Sequence, residues 1–237
     1  MGKAVEEVAV ARGHDIVARI DIDDGQHDSV IDRRRLEGAE AAIEFTVPEA
    51  AVSNLMKLAE CGIDTVSGTT GWFDRLPEVE QCVKDAGIGL IYAPNFSLGV
   101  QLFFRLAQFA GRLADGLDEY DVHISESHHR HKLDHPSGTA AKLAEILLDE
   151  LTNKQRWELG TGEGAIDPAV LQVTSVRAGE IPGEHAVALE GPDDRIEVRH
   201  EARGRTGLAR GAVTAAEWVQ GRKGIFTLDD MLADKWS

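Results

Sequence analysis

The groups best able to do chemistry crowd into residues 126–140. There the imidazoles of His128, His129 and His131 stand beside the cations Arg130 and Lys132. The whole chain carries a net charge of −16, so a local basic cluster calls for an anionic ligand. Histidine titrates near neutrality and suits proton transfer. A crowded lysine can have its pKa lowered far enough to donate a proton. On the residues alone three readings stay open. They are a solvated surface loop, a metal site in which Glu126 or Asp134 joins the histidines, and an acid–base pocket for a small, doubly anionic molecule. The spacing matches no familiar zinc pattern, and Arg130 and Lys132 would repel a divalent cation, so no metal is expected. Directly after the cluster, Pro136, Ser137, Gly138 and Thr139 lead into a helical pattern. A helix start offers unpaired N–H groups and a positive dipole end to a carboxylate or phosphate. Gly138 lets a ligand approach the backbone and Thr139 adds a hydroxyl, while Ser137 also suits an ordinary N-cap.

The elements that must position this segment follow from periodicity. Helical spacing predicts a first helix over residues 1–12 that stops at Gly13. Residues 15–21 read as a buried strand ending at Asp21, and residues 23–38 as mostly loop. Strands over residues 42–46, 63–67 and 88–93 alternate with helices over residues 48–61 and 74–86. Alternation at this spacing predicts a doubly wound, Rossmann-like parallel sheet. Ligands of such sheets sit beyond the carboxyl ends of the strands, where Asp21, Gly68 to Thr70 and Ala93 to Phe96 fall. The texture then changes. A long apolar helix over residues 98–115, a strand over 119–125, a helix over 137–151 and three strands over 170–176, 184–189 and 195–200 predict an α+β domain. Its sheet is expected to be antiparallel or mixed. A helix over residues 209–220 and a final helical turn from Thr227 close the chain. The predicted domains are residues 1–96 with 209–237, and residues 97–208.

Composition sets the remaining bounds. Hydrophobic content of 43% and charged content of 28% are ordinary for a globular protein. The acidic balance argues against nucleic acid as a partner. No apolar run reaches the length of a membrane helix, and Cys61 and Cys82 have the look of reduced, buried thiols, so a cytoplasmic protein without membrane contact is expected.

The run from Glu126 to Ala140 resembles the signature of the 4-hydroxy-tetrahydrodipicolinate (dihydrodipicolinate) reductase family. Similar matches lie at Phe45 to Glu49, Gly68 to Gly71, Ala93 to Gly99, Val176 to Gly179, Gly183 to His185 and Gly224 to Leu232. The resemblance implies an NAD(P)H-dependent reductase of the diaminopimelate route to lysine, acting on a small cyclic dicarboxylate. It implies His128 as proton donor and acceptor, Lys132 as proton donor, and His129, Gly138 and Thr139 as substrate-carboxylate contacts. Met1, Gly68, Thr69, Thr70, Ala93, Pro94, Asn95 and Phe96 take the places of cofactor contacts, and Asp21 that of the ribose-binding acid. A homotetramer assembled through the second domain's sheet is implied as well. Ile22 stands where some members carry an arginine suited to a 2′-phosphate, which tilts the expectation from NADPH toward NADH, with Arg33 to Arg35 as other phosphate candidates. Met1-Gly2 resembles the pair that ends the family's glycine-rich loop. The resemblance thus implies a strand and loop ahead of Met1, through an internal methionine taken as the start or a shortened chain. Two functions follow from this: an active reductase, or an inactive binding homologue that keeps the anion pocket.

Overall fold

The computed structural model describes residues 1–21, 31–160 and 164–236, with side chains to residue 234. The chain divides into two compact units, residues 1–97 with 205–237, and residues 98–204.

The first unit is built on a parallel sheet. Its elements are α1 (Gly2–Ala11), β1 (Ala41–Glu44), α2 (Pro48–Cys61), β2 (Asp64–Ser67), α3 (Leu76–Ala86) and β3 (Gly89–Tyr92). After the second unit, α6 (Thr206–Val219), β9 (Gly224–Thr227) and α7 (Leu228–Trp236) return to it. The strand order is β1-β2-β3-β9 and every pairing is parallel. Pro48 opens α2 at its first turn, where a missing N–H costs nothing, and Gly62 closes it in the left-handed region at φ 77°. Ala51, Val52 and Leu55 of α2 pack with Val79 and Val83 of α3 and Leu90 of β3. Val8 and Ala9 of α1 pack with Ala209 and Val213 of α6.

Two expectations fail here. Residues 15–21 form no strand, and among the described residues β1 has β2 as its one sheet neighbour. An apolar run becomes a strand only where another strand takes up its backbone N–H and C=O groups, and no described strand lies beside this one. Asp21 therefore stands at no strand end. Conversely, β9 occupies residues 224–227, ahead of the expected final helical turn. It pairs along all of β3, a partner far away in sequence. Cys61 and Cys82 are free and half-buried rather than buried.

The second unit holds α4 (Leu98–Ala114), β4 (Asp121–His128), α5 (Gly138–Glu150), β5 (Arg156–Leu159), β6 (Val170–Arg177), β7 (Glu184–Glu190) and β8 (Arg195–Glu201). Its sheet order is β5-β6-β4-β7-β8. The sheet is mixed: β4 runs parallel to β6 and antiparallel to β7. β5 is a charged strand with no clear alternation, unpredicted because it lies at the edge. Side chains two apart share a face of a strand. Val122 and Ile124 of β4, Leu171 and Val173 of β6 and Val187 and Leu189 of β7 thus form one apolar face under α4 and α5. The same face continues into Glu126 and His128, Ser175 and Arg177, and His185. The core stripe turns polar at one end of the sheet, and the candidate chemistry sits there.

Candidate active site

Register assembles the polar end of this sheet. Glu126 lies opposite Ser175 on β6 and His185 on β7, and His128 lies opposite Arg177. The Glu126 side chain is completely buried. Its Oε2 takes a hydrogen bond from His128 Nδ1, and Arg177 binds both oxygens, at 2.8 Å to Oε1 and 3.0 Å to Oε2. Ser175 Oγ lies 2.6 Å and the Ser137 N–H 3.3 Å from Oε1. Burial pushes the Glu126 pKa up, but bonds from His128, Arg177 and Ser175 outweigh it and hold the carboxyl well below the usual range. His185 meets the edge of the His128 ring at a centroid distance of 5.1 Å and is hydrogen-bonded to Ser137 Oγ at 3.0 Å. Burial, helped by the positive field of His128, lowers the His185 pKa to about 4.

That value carries a sign for stability. A histidine whose folded pKa is depressed favours unfolding once the unfolded chain begins to protonate, below about pH 6.5. Unfolding free energy is therefore expected to fall by up to about 3 kcal/mol between roughly pH 6.5 and 4. Glu126 adds a second loss as the pH falls through and below the ordinary carboxylate range, and His200, also lowered by burial, adds a smaller one. Urea unfolding of wild type and His185→Gln across this window checks it. Equal slopes in the two proteins would exclude His185 as the source.

Residues 128–132 do not act as one positive patch. His128 is buried, whereas Arg130 and His131 are exposed, and His131 reaches Glu180 at 3.3 Å. His129 keeps a buried Nδ1 without a hydrogen-bond partner. Lys132 Nζ lies 2.8 Å from Asp134 Oδ1. Although burial opposes it, Lys132 and the Gly138 N–H hold the Asp134 carboxyl below its usual range. Ser137 caps α5, its side chain accepting from the Ala140 N–H at 3.2 Å, so the N-cap reading holds. Gly138 has open space where a side chain would stand, and Thr139 is half-buried beside it. Ligand atoms of Glu126, His128 and His185 lie within 4.8 Å of one another, the one metal-type cluster among the described residues. Arg177 already occupies both oxygens of Glu126 and brings its charge to the place a cation would take.

The first unit places the remaining candidates, apart from Met1 and Asp21, at the carboxyl ends of β2 and β3. Ser67 pairs with Tyr92, so the segments Gly68 to Gly71 and Ala93 to Asn95 leave the sheet side by side. Thr70 and Pro94 are exposed there. The Thr69 hydroxyl, expected to reach a ligand, is instead spent inside the protein. It donates to Glu44 Oε1 at 2.8 Å and accepts from the Thr46 N–H at 2.7 Å. Glu44 also takes Ser67 Oγ at 2.8 Å, so this buried carboxylate ties β1 to the loop. A Cβ at Gly68 would lie 2.0 Å from the Phe45 ring, so any side chain there would displace that ring. Phe96 is fully buried and edge-on to Phe45, and Asn95 Oδ1 accepts from the Ser97 N–H at 2.8 Å. Met1 precedes α1, whose first turn holds no acidic residue and no side-chain cap. Asp21 is exposed, and Ile22 lies outside the described residues. Arg33 and Arg35 bond the backbone carbonyls of Glu60 and Arg19, at 2.9 Å and 3.1 Å.

A family model described as "Dihydrodipicolinate reductase, N-terminus" matches residues 1–96, and one described as "Dihydrodipicolinate reductase, C-terminus" matches residues 99–232. The chain belongs to the dihydrodipicolinate reductase family. A 4-hydroxy-tetrahydrodipicolinate reductase from Christiangramia forsetii is 39% identical over 234 residues, covering 99% of this chain and 94% of that protein. One from Archaeoglobus fulgidus is 38% identical over 253 residues, covering 98% and 95%. The fold is shared with a solved dipicolinate-bound dihydrodipicolinate reductase from Paenisporosarcina sp. TG-14. Its TM-score is 0.71 at 21% identity, covering 95% of this chain and 92% of that one. The chain is thus an oxidoreductase of the lysine and diaminopimelate branch, and the reading as an inactive homologue is not favoured. Reductases of this family use a nicotinamide cofactor, and the residues present fit one. Paired loops lie at the carboxyl ends of adjacent parallel strands, and α1 begins without an acid to repel a diphosphate. Among the described residues no helix is long and apolar enough to cross a membrane.

Sequence reasoning missed the roles of Glu126, Ser175, Arg177 and His185. Their signal was the alternation along β4, β6 and β7, which puts each on the core face, where a polar residue needs a partner.

Proposed function

We propose that the basic end of the second unit carries out the family's reaction, the reduction of 4-hydroxy-tetrahydrodipicolinate to tetrahydrodipicolinate. One observation carries this reading. Lys132 Nζ, in the position matched to the family's proton donor, already holds a carboxylate of the chain itself, that of Asp134, at 2.8 Å. A site that binds Asp134 in this way is chemically suited to a substrate carboxylate. In this reading His129, Gly138 and Thr139 orient the dicarboxylate. His128 and Lys132 then move protons at imidazole nitrogen and at Nζ. The cofactor, when bound, supplies the hydride. The loops Gly68 to Thr70 and Ala93 to Phe96 hold its nicotinamide half, with Met1 at the start of α1. For Phe96, Thr69 and Asn95 the contribution is backbone and shape, since their side chains are occupied within the unit. Asp21 is kept as a ribose contact on the family match alone, and NADH is favoured over NADPH on Ile22.

No metal, nucleic acid or membrane enters the reading, and a cytoplasmic location follows from the biosynthetic role. A homotetramer formed through the second unit's sheet is included. An exposed apolar stripe along α4 (Leu102, Leu106, Phe109 and Leu113) supports some form of oligomer.

Lys132→Ala tests the assignment. The fall in NADH absorbance with 4-hydroxy-tetrahydrodipicolinate as substrate is expected to slow by about 10²-fold in kcat. Inhibition by added dipicolinate is expected to weaken alongside it, and NADH binding to stay near wild type. Unchanged turnover and unchanged inhibition would remove Lys132 from the site.

A further inference from the structure

We propose that Glu126 is a positioning residue which holds His128 in one tautomer, with the proton on Nδ1, leaving Nε2 as the nitrogen that exchanges protons. This rests on the reading of His128 as the proton-transfer group.

Glu126 and His128 are two apart on β4 and so share the core face, where the backbone fixes their separation. The other groups that reach the carboxylate are donors: the Arg177 guanidinium from β6, the Ser175 hydroxyl, and the Ser137 backbone N–H from the start of α5. An ionised carboxylate can only accept, so the nitrogen facing it must donate. His128 Nδ1 is that nitrogen. The proton of the neutral ring is thereby placed on Nδ1, and Nε2 keeps the lone pair.

The far side of the ring is arranged to match. A Cβ at Gly183 would stand 3.0 Å from His128 Nε2, so the glycine leaves that nitrogen uncovered. Gly183 has φ 147°, a conformation that side-chain-bearing residues rarely adopt.

Charged and titratable groups face His128 from its own strand and from both neighbouring strands. They are Glu126 on its own strand, Arg177 on β6 and the neutral His185 on β7, with Lys132 close enough to act on His185. Arg177 binds both oxygens of Glu126. It also fixes the carboxylate through a bidentate fork that a lysine could not reproduce.

The test uses the full chain with NADH and 4-hydroxy-tetrahydrodipicolinate. Glu126→Gln is expected to lower kcat on the order of 10²-fold. An amide can present N–H to Nδ1 and select the opposite tautomer. The KM for NADH should stay near wild type, while the limb of the kcat–pH profile belonging to His128 moves. Glu126→Asp, which keeps the charge, should recover part of the rate. The tautomer is read directly on wild type by two-dimensional 15N–1H correlation of the histidine rings, with the His128 signals assigned by their loss in His128→Gln. Protonated Nδ1 is the expected state, and this measurement stands even if Glu126→Gln fails to fold. Protonated Nε2 in neutral His128, or wild-type kcat and pH profile in Glu126→Gln, would overturn the proposal. If those appear while His128→Gln is slow, only the positioning role falls. If His128→Gln turns over normally, the assignment of His128 itself falls.

Discussion

Replacing His128 by glutamine is expected to lower kcat on the order of 10³-fold. Glutamine can occupy the same volume and keep a hydrogen bond to Glu126, but it has no proton to exchange near neutral pH. The effect should appear in kcat rather than in cofactor affinity, because the residues matched to cofactor contacts belong to the other compact unit. Substrate KM should change less than kcat, since His129, Gly138 and Thr139 are left in place. Steady-state kinetics with varied NADH and varied substrate separate these quantities. The wild-type pH profile should show an ionisation that the variant lacks. A variant within error of wild type in kcat would end the assignment of His128.

Gly211→Ala is expected to have the largest effect on the fold. Gly211 lies inside α6, and a Cβ there would stand 1.6 Å from the Phe96 carbonyl oxygen and 2.7 Å from its carbonyl carbon. Neither side can give way by a rotamer change, because both contacts are to backbone. The surroundings leave little room: Ala209, Ala212, Ala215 and Phe96 are all fully buried. Overpacking of this kind costs about 1–3 kcal/mol and sometimes more, and about 3 kcal/mol is expected here because the helix or the loop must move as a body. The loop in question contains Asn95 and Phe96, so the KM for NADH should rise together with the loss of stability. Gly207→Ala in the same helix is the comparison. Its Cβ would lie 3.6 Å from Ser97 Oγ, an ordinary contact. It should be neutral, or stabilising by up to about 1 kcal/mol through helix propensity. Denaturant unfolding of the two variants decides the matter, and equal stabilities would show that the clash is relieved at no cost.

Much of the architecture was legible locally. The alternation of apolar strands with helices, one of them closed by Gly62, foretold a parallel sheet, and Pro136 to Thr139 foretold the start of α5. Where the reading failed, a partner far away in sequence decided the outcome. Residues 15–21 have a strand's composition and no described strand beside them. β9 has a short, half-buried sequence and becomes a strand because β3 offers its edge. The expectation of an antiparallel or mixed sheet left the direction of β6 open, and its crossover through α5 and β5 makes it parallel to β4. Thr69 illustrates the same limit at a side chain. Its position in the loop is local information, but its hydroxyl turns inward because Glu44, on another strand, needs donors.

The sequence by itself singled out the candidate residues for the proposed chemistry. His128, Lys132, Gly138 and Thr139 follow one another within a dozen positions, and residue type and short spacing are properties of the chain. It also determined the family, because the motifs run along nearly its whole length. Only the tertiary structure decided that the basic residues divide into a buried His128, exposed Arg130 and His131, and a Lys132 bound to Asp134. It also decided that Glu126, Ser175, Arg177 and His185 meet around that histidine. The reason is register. Three strands, brought together across some sixty residues of sequence, align Glu126 with Ser175 on one side and His185 on the other. A carboxylate buried there needs the donors that this register brings to it.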